Sequence, residues 1–129
     1  NKYQCSIVAI EEVPLNQTSK YGIIAGNLIE NSNNTYLVTD MVEKPEEKNA
    51  PSNMAIIGRY ILTPDIFDKL KNIKPDKHGE IQITDALKIQ ANRGKVIAYK
   101  FKGKRFDCGS IKGYLEATNH FANNLSIIS

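Results

Sequence analysis

Three short stretches of the chain concentrate side chains able to do chemistry: Lys20-Tyr21-Gly22-Ile23, Val42-Glu43-Lys44-Pro45 and Phe106-Asp107-Cys108-Gly109-Ser110. Each falls at the start or end of an expected strand, where α/β proteins place ligand groups. A carboxylate such as Glu43 can accept from two sugar hydroxyls, and an ammonium such as Lys44 can neutralise a phosphate. Neighbours on an extended backbone point to opposite sides, and Pro45 is expected to keep Lys44 extended. Asp107 can hold a hard cation such as Mg²⁺ or cap the helix that follows it. Gly22 can let a ligand approach the backbone closely. Each has a plainer reading too: a solvated ion pair ahead of a loop, a helix cap, and a bend at a strand entry.

Other chemistries find little support. His78 and His120 have no His, Cys or carboxylate at metal-ligand spacing, so surface or helix-face roles are expected. No Ser-His-Asp or Cys-His arrangement stands out, and no Gly-rich phosphate loop is present. The basic cluster Lys100, Lys102, Lys104 and Arg105 has little aromatic interleaving and reads as a solvated strand edge rather than a nucleic-acid stripe. Seventeen basic against fourteen acidic side chains leave a net charge of +3, too weak and scattered to argue for nucleic acid.

These residues must be positioned by elements that the residue pattern outlines. The 129 residues amount to one domain or part of a larger one, and their composition is that of an ordinary globular domain. No run approaches the ~18 apolar residues of a membrane helix. Only Cys5 and Cys108 are present, which suits a reducing cytosol. The opening Asn1-Lys2-Tyr3-Gln4 carries no signal-peptide pattern and no initiator Met, so the chain is expected to begin inside a longer protein.

Strands are expected at 5–13, 21–30, 35–42, 54–62 and 95–101, where β-branched and apolar residues cluster between breakers. The runs at 5–13 and 54–62 read as buried, and the last alternates as if one face were wet. Asn31-Ser32-Asn33-Asn34 predicts a hairpin, since Asn and Ser tolerate positive φ and side-chain-capped turns. Residues 15–20 and 43–51 read as loops. Helices are expected at 64–71, with Thr63 as cap and Pro64 first, at 83–93 ended by Gly94, and at 110–125. The last would bury Ile111, Tyr114, Leu115, Thr118, Phe121 and Ala122. The order suggests a mixed α/β domain with a partly antiparallel sheet.

Taken together and in this order, CSIVAIEEVP, KYGIIAG, MVEKP, APSNMAIIGRYILTPDIF, GEIQITDAL, VIAYKFKGKRFDCGS and GYLEA resemble the C-terminal half of bacterial UTP–glucose-1-phosphate uridylyltransferases. The segments cover most of the chain. VEKP and the SNxAxxGxY-like pattern are shared with other sugar-nucleotide pyrophosphorylases, whereas IGRYILTP, GEIQITD and RFDCGS point to the uridylyl branch. The resemblance implies an α/β, Rossmann-like nucleotide-diphospho-sugar transferase fold with a mixed sheet and flanking helices. Residues 1–129 would be the sugar-phosphate-binding C-terminal part of a single nucleotidyltransferase domain, its nucleotide-binding part lying upstream.

It also implies an Mg²⁺-dependent transfer in which an oxygen of glucose-1-phosphate attacks the α-phosphorus of UTP, giving UDP-glucose and pyrophosphate. By similarity, Gly22 would contact glucose through its backbone and Glu43 would accept from glucose hydroxyls. Lys44 would be catalytic, holding the sugar phosphate and the developing charge. Asp107 would be one of two Mg²⁺-binding aspartates, and Tyr21 and Tyr60 would wall the pocket. Glu80 and Asp85 fall in a family motif, with no chemical role that follows from the sequence. The family pattern places Lys directly after the Ser of DCGS, whereas Ile111 here precedes Lys112. A cytoplasmic homo-oligomer without nucleic-acid or membrane partners is expected. The alternatives are a thymidylyltransferase-type relative on the same sugar phosphate, a non-catalytic regulatory homologue, or a basic RNA-binding module. Intact Glu43, Lys44 and Asp107 speak against the non-catalytic homologue.

Overall fold

The β-branched runs of the sequence become five strands in a computed structural model that describes residues 3–76 and 78–124. They are β1 (Ser6–Glu12), β2 (Gly22–Leu28), β3 (Thr35–Glu43), β4 (Met54–Ile61) and β5 (Val96–Lys100). The helices are α1 (Ile66–Leu70), α2 (Ile83–Ala91) and α3 (Ile111–Asn124). Every expected element is therefore present. Leu125, the last residue of the expected final helix, lies outside the described residues.

The sheet is mixed, and its strands close on themselves in the order β1-β4-β2-β3-β5. β5 pairs parallel with β1, from Ser6↔Val96 to Ile10↔Lys100, and the remaining pairings are antiparallel. The β2–β3 hairpin turns where the sequence predicts: Asn31 has φ +61°, and the Ser32 hydroxyl accepts the Thr35 N–H at 3.0 Å. One core gathers Val8, Ile10, Ile24, Val38, Met41 and Leu87, with α2 packed against β3 and α1 beside α2. The apolar positions of α2 recur with helical spacing, so one stripe faces that core.

Five local expectations need correction. Leu15–Lys20 is a 3-10 helix rather than a loop, turned by the Gln17 N–H to the Pro14 carbonyl at 2.8 Å; the buried Thr18 hydroxyl donates to the Leu15 carbonyl at 2.8 Å. A second short 3-10 turn, Glu47–Asn49, interrupts the charged loop. Thr63 does not cap α1: its hydroxyl donates to Asp65 Oδ1 at 2.6 Å, and α1 starts only at Ile66. β4 is buried only at Ala55 and Ile56, while Ile61 is 68% exposed. The reverse holds for β5, whose Val96, Ile97 and Ala98 are all buried between β1 and β3.

The largest departure is α3. It buries Gly113 and Ala117, whereas Ile111, Tyr114, Leu115 and Phe121 stand exposed, Ile111 by 82%. The apolar stripe is present as expected, but no other described element packs over it. Helical periodicity reports such a stripe and is silent on what covers it.

A buried polar junction locks the layers. Gln90 of α2 accepts from the Ser6 hydroxyl at 2.7 Å and donates to Thr63 Oγ1 at 3.0 Å and Asp65 Oδ1 at 2.9 Å. Gln90 is 1% exposed and Ser6 fully buried, so between these two no water can replace the bond. Gln90→Leu should cost about 1–3 kcal/mol of unfolding free energy, because it takes the acceptor from the buried Ser6 hydroxyl. Urea denaturation checks this, and an unchanged midpoint would refute the junction's role.

Candidate active site

The site begins where the β2–β3 ladder ends. Gly22 faces Glu43 in register, and the Lys44 N–H extends the pairing by one hydrogen bond, to the Tyr21 carbonyl at 2.9 Å. This last bond turns the chain, and Lys44 adopts φ +45°. That corrects the expectation of an extended Lys44: the ladder ends with the peptide that enters Lys44, and the chain leaves the strand direction at Lys44 itself. The consequence is geometric. Lys44 Nζ swings to 3.9 Å from Glu43 Oε1 instead of pointing away from it. A non-glycine residue held at positive φ is costly and occurs mainly where surrounding structure fixes it.

Glu43 is held from its other side. Its Oε2 accepts from the Thr84 hydroxyl at 2.6 Å, at the first turn of α2. Gly22 lies directly against this contact: a Cβ there would sit 3.0 Å from Glu43 Oε2 and 3.2 Å from Thr84 Oγ1. Only a residue without a side chain leaves that pair undisturbed. Tyr21, Gly22, Glu43, Tyr60, Gln82 and Thr84 line a cavity of about 300 Å³. Burial, and then the charge of Glu43, push the Tyr60 hydroxyl above its ordinary pKa, so it stays a neutral donor and acceptor. The cavity thus offers a carboxylate, a phenol and a backbone approach, and the Lys44 ammonium stands 3.9 Å from that carboxylate. Such a set suits a polyhydroxylated ligand carrying a negative group.

Behind it runs a crevice lined by Glu43, Lys44, Asp76, Glu80 and Asp85. Asp76 organises this loop. Its carboxylate accepts from Gln82 Nε2 at 2.9 Å and from the backbone N–H of Glu80 and His78, in that order of effect, which holds its pKa at about 2. Gln82 links Asp76 to the cavity wall. Lys112, by contrast, makes only a surface approach of 3.9 Å to Glu116.

Asp107 lies in the loop between β5 and α3, on a neighbouring cavity that Ile57 joins to the first. It is exposed, and its Oδ1 accepts the Gly109 N–H at 3.0 Å. Capping of α3 falls instead to Ser110, whose hydroxyl accepts the Gly113 N–H at 3.1 Å. The helix itself fixes the loop. A Cβ at Gly113 would lie 1.9 Å from the Asp107 carbonyl oxygen, so α3 and Asp107 touch backbone to backbone. Phe106 adds a ring contact of 5.0 Å to His120. Among the described residues no group of three or more His, Cys, Asp or Glu gathers around a point. Asp107 is one hard oxygen ligand, which fits Mg²⁺, an ion usually held by one or two carboxylates with water and phosphate completing its shell.

The structure therefore brings Tyr21, Gly22, Glu43, Lys44 and Tyr60 together and sets Asp107 on the adjoining cavity. Thr84, Gln82, Asp76 and Gly113 are positioning residues that sequence reasoning passed over. GEIQITDAL and GYLEA flag three of them as motif members, without a role.

A profile described as nucleotidyl transferase matches residues 1–124. The chain belongs to that family. As a nucleotidyl transferase chain it is 62% identical, over 97% of its length, to the UTP–glucose-1-phosphate uridylyltransferase of Pseudomonas aeruginosa, covering 44% of that protein. A putative uridylyltransferase of Methanocaldococcus jannaschii is 43% identical over 90% of the chain and 40% of its own length. The solved structure of UDP-glucose pyrophosphorylase complexed with UDP-glucose superposes with a TM-score of 0.88 at 60% identity, over 95% of this chain and 46% of that one. A putative glucose-1-phosphate thymidylyltransferase from Bacillus anthracis shares the fold alone, with a TM-score of 0.66 at 24% identity. The chain spans less than half the length of these relatives.

The Gly113 contact sets two effects against each other. Ala is favoured over Gly in a helix interior by about 0.5–1 kcal/mol, whereas overpacking a tight contact costs about 1–3 kcal/mol. At 1.9 Å from a carbonyl oxygen the clash wins. Gly113→Ala should lower the urea midpoint and shift the amide resonances of Asp107 and Gly109. A stabilised variant with unmoved resonances would show that helix and loop do not meet.

Proposed function

We propose that this chain is the sugar-phosphate-binding part of a UTP–glucose-1-phosphate uridylyltransferase, residues 1–129 forming a portion of one nucleotidyltransferase domain. The observation that carries this reading is the Gly22–Glu43–Thr84 contact with Lys44 turned in beside it. It gives one cavity a hydroxyl acceptor and a close backbone approach, with a cation able to bind phosphate 3.9 Å from that acceptor on the adjoining crevice.

In the reaction an oxygen of glucose-1-phosphate attacks the α-phosphorus of UTP and pyrophosphate leaves, forming UDP-glucose. No protein nucleophile is needed, so positioning and charge neutralisation supply the rate. Glu43, anchored by Thr84, accepts from glucose hydroxyls with its free lone pairs. Gly22 lets the sugar lie against the backbone. Tyr60 and Tyr21 wall the pocket and exclude water. Lys44 binds the sugar phosphate and counters the charge that builds as the new bond forms. Asp107 would hold Mg²⁺, which when bound neutralises phosphate charge. We place the enzyme in the cytoplasm, where its two free thiols stay reduced, and expect it to self-associate without nucleic-acid or membrane partners. No described helix is long and apolar enough to cross a membrane.

In the full-length enzyme, Lys44→Ala should lower kcat by about two to four decades, since it removes a charge acting on the reacting phosphate. Glu43→Ala should act mainly on the sugar, raising its KM by the equivalent of about 1–3 kcal/mol. Asp107→Asn should weaken the response to Mg²⁺. A pyrophosphate-release assay reads all three, and wild-type kinetics in every variant would defeat the assignment.

The 129-residue chain alone should make no UDP-glucose. Asp107 is one exposed carboxylate, and Mg²⁺ gives up its water reluctantly. Ile61, Tyr99 and the apolar stripe of α3 are exposed, so the isolated chain should self-associate. Turnover within about tenfold of the full-length enzyme would place the nucleotide site in these residues. A monodisperse monomer in light scattering would refute the exposed-surface argument.

A further inference from the structure

Resting on the reading above, we infer that Arg105 is a positioning residue that ties the sugar cavity to the Asp107 loop. Its Nε donates to Glu11 Oε1 at 2.6 Å, and a terminal nitrogen reaches the same oxygen at 2.5 Å. That nitrogen also donates to the Tyr21 hydroxyl at 3.1 Å, and the guanidinium carbon lies 5.5 Å from the centre of the Tyr21 ring. Three separate parts of the chain thus meet on one side chain: β1 through Glu11, the residue that opens β2, and the loop before α3.

The placement of the partners gives this contact its meaning. Tyr21 walls the sugar cavity, and its carbonyl holds the Lys44 N–H. Arg105 precedes Asp107 by two residues in an otherwise irregular loop that contains Gly103 at φ +142°. A shift of the guanidinium therefore moves the sugar-cavity wall and the Asp107 carboxylate together. The Arg105 and Glu11 side chains are only 25% and 24% exposed, unlike the solvated pairs that contribute little. Burial acts against the Arg105 charge, but its bonds to Glu11 and Tyr21 outweigh it and raise the pKa. The arrangement needs a planar fork: Nε and one terminal nitrogen meet Glu11, the same terminal nitrogen reaches the Tyr21 hydroxyl, and the cation lies over the ring at 5.5 Å. A lysine ammonium can replace the ion pair without the ring and hydroxyl contacts.

The test uses the full-length enzyme with Arg105→Ala and Arg105→Lys, each with a urea unfolding curve. Arg105→Ala should raise the KM for glucose-1-phosphate and the half-saturating Mg²⁺ concentration together, each by about fivefold or more, with kcat falling about tenfold. Arg105→Lys should keep the wild-type unfolding midpoint yet recover only a minor part of either effect. Calorimetric titration with UDP-glucose, with and without Mg²⁺, supplies a readout independent of turnover: Arg105→Ala should lose most of the Mg²⁺-dependent gain in affinity. The inference is overturned if both kinetic constants and the titration stay within about twofold of wild type. It is also overturned if Arg105→Ala lowers the unfolding midpoint and Arg105→Lys restores everything, since a structural ion pair then suffices. An inactive wild-type enzyme would defeat the proposed function itself, whereas an active wild type with a silent Arg105→Ala defeats only this inference.

Discussion

The hydrogen bond from the Lys44 N–H to the Tyr21 carbonyl is the hinge of the candidate site. Up to Glu43 the chain is a strand, committed to the β2–β3 ladder. One residue later it stands at positive φ, a conformation that costs about 1–3 kcal/mol for a side chain such as lysine. The ladder bond holds it there on one side and Pro45 blocks a helical return on the other. The ammonium and the carboxylate, adjacent in sequence, thereby share one space. Without the turn they would serve opposite faces of the sheet.

Asp107 is placed by a different means. Its loop has no ladder, so it is fixed by contacts of unlike kinds: the α3 backbone at Gly113, the rings of Phe106 and His120, and the Arg105 fork. Asp107 itself stays exposed, which in the proposed role leaves its carboxylate open to a hydrated ion. The two cavities meet at Ile57, so the strand end and the Asp107 loop border one another.

Much of this is local and could be read from residue types. The strands follow from β-branched runs between breakers, and the Asn31-Ser32 turn from side chains that tolerate its geometry. What escaped detection depends on distance or on cover. Arg105 meets Tyr21 and Glu11 across 84 and 94 positions, and nothing in a basic cluster signals that one member is buried in a fork. The α3 stripe has the right period, but periodicity cannot say whether a partner lies over it. Lys44 departs from a local rule where the ladder ends. The Glu43–Thr84 contact joins two motifs that were each visible, Val42-Glu43-Lys44-Pro45 and GEIQITDAL, yet only the fold makes them neighbours.

The parallel pairing of β1 with β5 has a kinetic meaning. β1 comes first among the strands and β5 last, and they are neighbours in the ring. The β2–β3 hairpin needs only a short turn and is the natural early structure, whereas closing a loop as long as the one between Ser6 and Val96 carries the larger entropic cost. Within the described residues, the β1–β5 pairing is therefore the contact expected to close after the hairpin. A chain cut short before Val96 would leave β1, which carries the buried Val8 and Ile10, without its parallel partner.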